Sequence, residues 1–191
     1  SIVLDEFSDY KGILSGIDIV VHAAARAHIM DETSDNPLNE YRKINTYATL
    51  NLARQAASEG VKRFIFISSI KVLGEKTELG HPFTSVDPFN PKDPYGVSKV
   101  EAELGLQKLS EETNMEVVII RPPLVYGKGV KGNFAKFLKL TALPIPLPLG
   151  SIKNRRSLVS IENLVDLICI CLEHKEAKNQ NSLRPEDIEK I

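Results

Sequence analysis

Three short runs rich in β-branched residues, at 17–22, 64–69 and 116–121, are separated by stretches long enough to hold a helix each, and this alternation constrains the fold more than any other feature. The first, Ile-Asp-Ile-Val-Val-His, leads into Ala23-Ala24-Ala25 and has the composition of a parallel strand covered on both faces. Between the first two runs, Tyr41, Ile44, Ala48 and Leu52 recur at helical spacing, which predicts a helix over 38–58 closed by Gly60. Pro94 suits the first turn of a second helix that continues through Val97 to Glu112, and Pro122-Pro123 ends the third strand. Strands alternating with helices of this length indicate a doubly wound, right-handed parallel α/β sheet of Rossmann-like type.

The pattern changes after Tyr126. Gly127, Gly129, Gly132 and Leu-Pro-Ile-Pro-Leu-Pro-Leu-Gly at 143–150 interrupt it, so residues 1–126 read as the core and 127–191 as part of a smaller substrate-binding region on the same core. A helix is expected over 160–174, with Ile161, Leu164, Val165, Ile168 and Leu172 on its apolar face, forming a layer over the carboxyl edge of the sheet. The polar stretch 181–191 has no assignment.

Composition narrows the function. Twenty-four Lys and Arg against 25 Asp and Glu, without a long run of one sign, give no nucleic-acid footprint. No apolar stretch approaches the length of a membrane span, and no basic segment precedes one at the start, so the expectation is no membrane and no signal peptide. Cys169 and Cys171 stand two apart on the expected helix, where their side chains diverge; that argues against a disulfide or zinc site and fits a reducing cytoplasm. The four His lack ligand spacing, and His22 reads as packed at a strand end, so no metal is expected.

The residues that carry chemistry are Ser68, Ser69, Tyr95 and Lys99. The serines end the second strand, at the edge where open parallel sheets bind ligands. Tyr95 and Lys99 lie one helical turn apart, so they share a face, and the ammonium is expected to draw the phenol's pKa down and make it a usable acid/base. Of five Tyr in the chain, only Tyr95 has a Lys four residues on. Gly-Lys-Gly-Val-Lys-Gly at 127–132 fits a dinucleotide-binding pattern literally, but two prolines and three more residues part it from the strand and no acidic residue stands about 20 positions on. Its amides with Lys128 or Lys131 approach a substrate phosphate, or it is a surface loop.

Val-Val-His-Ala-Ala-Ala-Arg at 20–26, Asn45, Phe-Ile-Ser-Ser-Ile-Lys-Val-Leu-Gly at 66–74, Pro-Tyr-Gly-Val-Ser-Lys at 94–99, Arg-Pro-Pro-Leu-Val-Tyr-Gly at 121–127 and Arg-Arg-Ser-Leu-Val-Ser-Ile at 155–161 occur in one order. Together they resemble the extended short-chain dehydrogenase/reductases, and among them the NAD-dependent nucleotide-sugar epimerases and dehydratases. The resemblance implies Ser69, Tyr95 and Lys99 as catalytic residues. It implies Ala23, Ala24, Ser68, Tyr95, Lys99 and Pro122 around NAD, with NADP left open, and Asn45, Ser69, Asn133 and Arg156 on the side of a UDP-linked nucleotide sugar. An Arg there suits a diphosphate. Transient oxidation at sugar C4 by an epimerase is the expected reaction; the alternatives are a 4-ketosugar reductase of surface-polysaccharide synthesis and a non-catalytic dinucleotide-binding regulator of the same fold. Ile70-Lys71 stand where dehydratases of the family commonly carry Asp-Glu. A homodimer through the Tyr-bearing helix is a family habit. The glycine-rich turn with which such proteins open is not found before Ile17, so the chain reads as N-terminally incomplete, with poor NAD binding expected of the fragment alone.

Overall fold

The computed structural model describes residues 3–27, 34–78, 80–129, 140–142 and 155–177. Strands β1 (Ile19–His22), β2 (Arg63–Ile67) and β3 (Glu116–Ile120) form a parallel sheet in that order, with Val20 opposite Phe64 and Phe64 opposite Val117. A short helix, α1 (Lys11–Leu14), precedes β1. Helix α2 (Pro37–Arg42), a π-helical turn (Lys43–Ala48) and α3 (Thr49–Ser58) connect β1 to β2, and α4 (Pro94–Glu112) connects β2 to β3.

Alternate residues of the strands bury on opposite faces, as the two-residue period of a strand requires. Phe64, Phe66, Val117 and Ile119 pack with Ala53, Ala56, Ala102 and Leu106 of α3 and α4. On the other face Ile65, Val118 and Ile120 pack with Leu164, Leu167 and Cys171 of α5 (Ile161–Glu173). Helices therefore cover both faces of a parallel sheet, the doubly wound architecture expected from the sequence.

Two expectations are corrected. The apolar face of α5 is shifted: Leu164, Ile168 and Leu172 pack on the sheet as expected and are joined by the buried Leu167 and Cys171, whereas Ile161 and Val165 are exposed. The helix also lies on a face of the sheet and not over its carboxyl edge. Arg63, at the start of β2, donates from Nη1 to the carbonyls of Cys171 and Leu172 at 2.6 and 3.0 Å, so the C-terminal end of α5 sits at the amino edge and the helix runs against the strands. Those carbonyls would otherwise lack partners at a helix end.

Beyond β3, the short strands β4 (Leu124–Tyr126) and β5 (Leu158–Ser160) pair in parallel, and Ser160 caps α5 through Asn163 N at 3.1 Å. Among the described residues, no helix is long and apolar enough to cross a membrane, and no group of three or more His, Cys, Asp or Glu is placed to hold a metal ion.

Candidate active site

The stretch after β2 meets the first turn of α4, where a Cβ on Gly96 would lie 3.0 Å from Lys71 O, and the stretch after β3 is tied to the one after β2 by Ile70 N donating to Pro122 O at 3.0 Å. Asp93 starts that helix: its Oδ1 accepts from Gly96 N at 2.6 Å, and Pro94 occupies the first position, where a missing N–H costs nothing. Tyr95 and Lys99 project from the turns that follow. Ser69 ends the stretch after β2 and caps a short 3₁₀ turn (Ile70–Val72), its Oγ accepting from Lys71 N at 3.3 Å.

The structure brings Ser69, Tyr95 and Lys99 together. Ser69 stands beside the Tyr95 phenol, close enough for its hydroxyl to favour the phenolate. Lys99 is buried, donates from Nζ to Ile67 O at 2.9 Å and lies 4.3 Å from the Phe66 ring centroid and 6.0 Å from that of Tyr95.

The electrostatics differ from the sequence expectation. Burial raises the Tyr95 phenol above the ordinary tyrosine value, the Ser69 hydroxyl opposes it, and the charge of Asp93 and the neighbouring Tyr41 add to it. Lys99 does not reverse this, because its ammonium is held against Ile67 O and Phe66, beside the ring of Tyr95. Burial also pushes Lys99 itself down to about 8, with Glu103 opposing. Burial outweighs what opposes it at both groups, the Ser69 hydroxyl at Tyr95 and the Glu103 charge at Lys99.

Two of the expected site residues have hydrogen-bond partners within the chain. Asn45 is fully buried; its Oδ1 accepts from Arg26 N at 2.8 Å, and its Nδ2 donates to Arg26 O and Ser98 Oγ at 3.1 and 3.0 Å. Both amide hydrogens are spent, so it fastens the loop after β1 to the Tyr95 helix and has no donor left for a sugar. Ser68 is buried as well, and its hydroxyl donates to Glu103. Ala23 and Ala24 are exposed at the end of β1, Pro122 is half-buried after β3, and Arg156 is exposed just before β5. Asn133, Lys131 and Gly132 lie outside the described residues. Gly127 is explained by packing: a Cβ there would stand 2.4 Å from Ile161 Cγ2, at φ +155°.

Sequence reasoning missed a layer of supporting residues. The π-helical turn places Asn45 and Thr46, neighbours in sequence, both against α4, where Thr46 Oγ1 donates to Ser98 O at 2.8 Å; π turns inside α-helices often mark functional sites. Tyr41 packs edge-on to Tyr95, centroids 6.1 Å apart. His22 shares a 2.9 Å hydrogen bond with Thr49 Oγ1, stacks on Phe66 and is lowered to about 4 by burial and then by the charge of Lys99. Glu103, fully buried, receives Arg121. Asp93 before Pro94 had a local sequence signal, a cap residue preceding a first-turn proline, and His22 is packed at the strand end as expected.

Residues 3–184 match the NAD dependent epimerase/dehydratase family. The chain belongs to that family. It is 56% identical over 174 residues to a UDP-glucose 4-epimerase of Vibrio cholerae, covering 91% of this chain and 53% of the relative. It is 33% identical over 160 residues to N-acetyl-alpha-D-glucosaminyl-diphospho-ditrans,octacis-undecaprenol 4-epimerase of Escherichia coli O157:H7, covering 81% and 45%. The chain thus spans about half the length of the curated relatives it matches. Among solved structures, a UDP-glucuronic acid 4-epimerase from Bacillus cereus in complex with NAD superposes with a TM-score of 0.76 at 24% identity, over 91% of this chain and 56% of that one, and shares the fold. A dTDP-glucose 4,6-dehydratase from Streptomyces venezuelae, DesIV, with NAD and TYD bound, gives 0.70 at 25% identity, over 85% and 51%.

Proposed function

We infer that this chain carries the acid/base centre of an NAD-dependent nucleotide-sugar 4-epimerase. The observation that carries the reading is the placement of Ser69 against the Tyr95 phenol, one helical turn from the buried Lys99, whose Nζ lies 6.0 Å from the Tyr95 ring centroid. Tyr95 as phenolate takes the proton of the sugar 4-hydroxyl, and Ser69, its Oγ accepting from Lys71 N, turns its single O–H from the phenol to the oxygen becoming a ketone as Tyr95 is protonated. Lys99 spends one N–H on Ile67 O and retains two for a ribose and the phenol side. NAD, when bound, accepts a hydride from sugar C4 and returns it.

The residues present fit that group: at the ends of β1 and β3 the chain offers only the small side chains of Ala23 and Ala24 and the ring of Pro122, an open edge for a flat dinucleotide. The Vibrio cholerae relative favours a UDP-linked sugar. Arg156, exposed ahead of β5, and Asn133 are assigned to its diphosphate side, which makes residues 127–191 the substrate region and 1–126 the cofactor core. Tyr47 and Leu104, exposed on the π turn and α4, supply apolar surface for a homodimer. A dehydratase is disfavoured because Lys71, after Ser69, is engaged by Asp93 and provides no acid/base pair.

The test is conversion of UDP-glucose deuterated at C4 with NAD. An epimerase yields UDP-galactose that keeps the deuterium, without net change at the NADH absorbance band. Net oxidation of NADH with a 4-keto sugar would replace the reading by a reductase, and binding without turnover would replace it by a regulator.

A further inference from the structure

Lys71 stands two residues beyond Ser69 and has no part in the reaction described above. Its Nζ is ion-paired with Asp93 Oδ2, the other oxygen of the carboxylate that caps α4. The same turn approaches α4 a second way: a Cβ on Gly96 would lie 3.0 Å from Lys71 O, so the backbones nearly touch beside Tyr95. The turn is tied from behind, too, by Ile70 N donating to Pro122 O at 3.0 Å and Asn90 N to Val72 O at 2.9 Å.

We propose that Lys71 is a positioning residue: by pairing with Asp93 it clamps the Ser69 turn onto the first turn of the Tyr95 helix and screens the Asp93 charge from the phenol. Asp93 is the negative charge that disfavours the phenolate. The other groups around the phenol are Ser69 after β2, Tyr41 of α2 with the Arg26 guanidinium 5.6 Å from its ring, and Lys99 with Glu103 and the uncharged His22 behind it. None of these pairs with Asp93 in the structure. Lys71 is 47% and Asp93 27% exposed, so solvent and salt reach the clamp.

The inference rests on Tyr95 being the acid/base, but its test does not require turnover. The chain has five Tyr and no Trp, so tyrosinate absorbance is read without an indole background, and the difference against Tyr95→Phe isolates this phenol. Lys71→Met moves the Tyr95 titration midpoint up by at least about 0.3 pH unit, a shift set by one partly screened charge, and Lys71→Arg restores it. In an Asp93→Asn background, which keeps an oxygen for the cap, the Lys71→Met shift falls to less than half. Lys71→Gln moves the midpoint in the same upward direction, a second variant that stands even if Lys71→Met folds poorly. An unmoved midpoint in both Lys71→Met and Lys71→Gln, or an undiminished shift in the Asp93→Asn background, overturns the proposal. Either result leaves the epimerase reading to the deuterium experiment.

Discussion

Glu103 and Arg121 form a buried, two-pronged ion pair, with Arg121 Nη2 2.6 Å and Nε 3.1 Å from Glu103 Oε2 and their side chains 0% and 4% exposed. The pair joins α4 to the end of β3; Ser68 of the β2 end donates to the same carboxylate, and Arg121 Nη1 donates to Ser85 O at 3.1 Å. One carboxylate therefore ties both strand ends to the helix that bears Tyr95 and Lys99. Arg121→Met leaves that charge buried without its partner and is expected to cost about 3–5 kcal/mol in urea unfolding, while the double variant with Glu103→Gln recovers a large part. Equal losses in the single and double variants would contradict this.

His22 gives the fold a dependence on acid. Its folded value of about 4 lies below the ordinary 6.5, so the unfolded chain takes up the proton first. The associated stability is fully present above pH 6.5, declines as pH falls toward 4 and is lost below it. Between pH 7 and 4.5 this group alone accounts for about 2 kcal/mol. Urea midpoints of the protein and of His22→Gln, compared at both pH values, read it: the variant loses less on acidification. Parallel losses would mean that His22 is not the group responsible.

Gly127 is expected to matter for packing. Gly127→Ala drives a methyl into Ile161 and requires a backbone angle that suits glycine, at a cost of about 1–3 kcal/mol. Ile161→Ala in the same chain relieves part of that cost, so the two changes are less than additive in thermal unfolding. Full additivity would remove the contact from the account.

The strands and the Tyr95 helix were legible because β-branched runs and Pro94 act locally, where sequence pattern and structure agree. The π-helical turn was not legible: the extra residue changes no composition, and the periodicity through Tyr41, Ile44, Ala48 and Leu52 passes over the buried pair Asn45 and Thr46. The face of α5 was misread in part because Ile161 and Val165 are apolar yet flank the sheet instead of meeting it. At the site, spacing placed Tyr95 near Lys99 correctly, but the direction of the phenol's shift depends on burial and on where the ammonium is held, and both come from the tertiary fold. Asn45 and Ser68 show the same limit, since motif position gave their neighbourhood while the hydrogen-bond partners decide what they do.

The most direct test replaces Tyr95 by Phe and follows UDP-glucose to UDP-galactose conversion with NAD, alongside nucleotide-sugar binding by calorimetry. The account predicts a loss in kcat of about 100-fold or more with a Kd within about threefold of the unaltered protein, because the phenol acts on the proton and not on the diphosphate. Turnover at the original rate in Tyr95→Phe would contradict the assignment of Tyr95 as the acid/base.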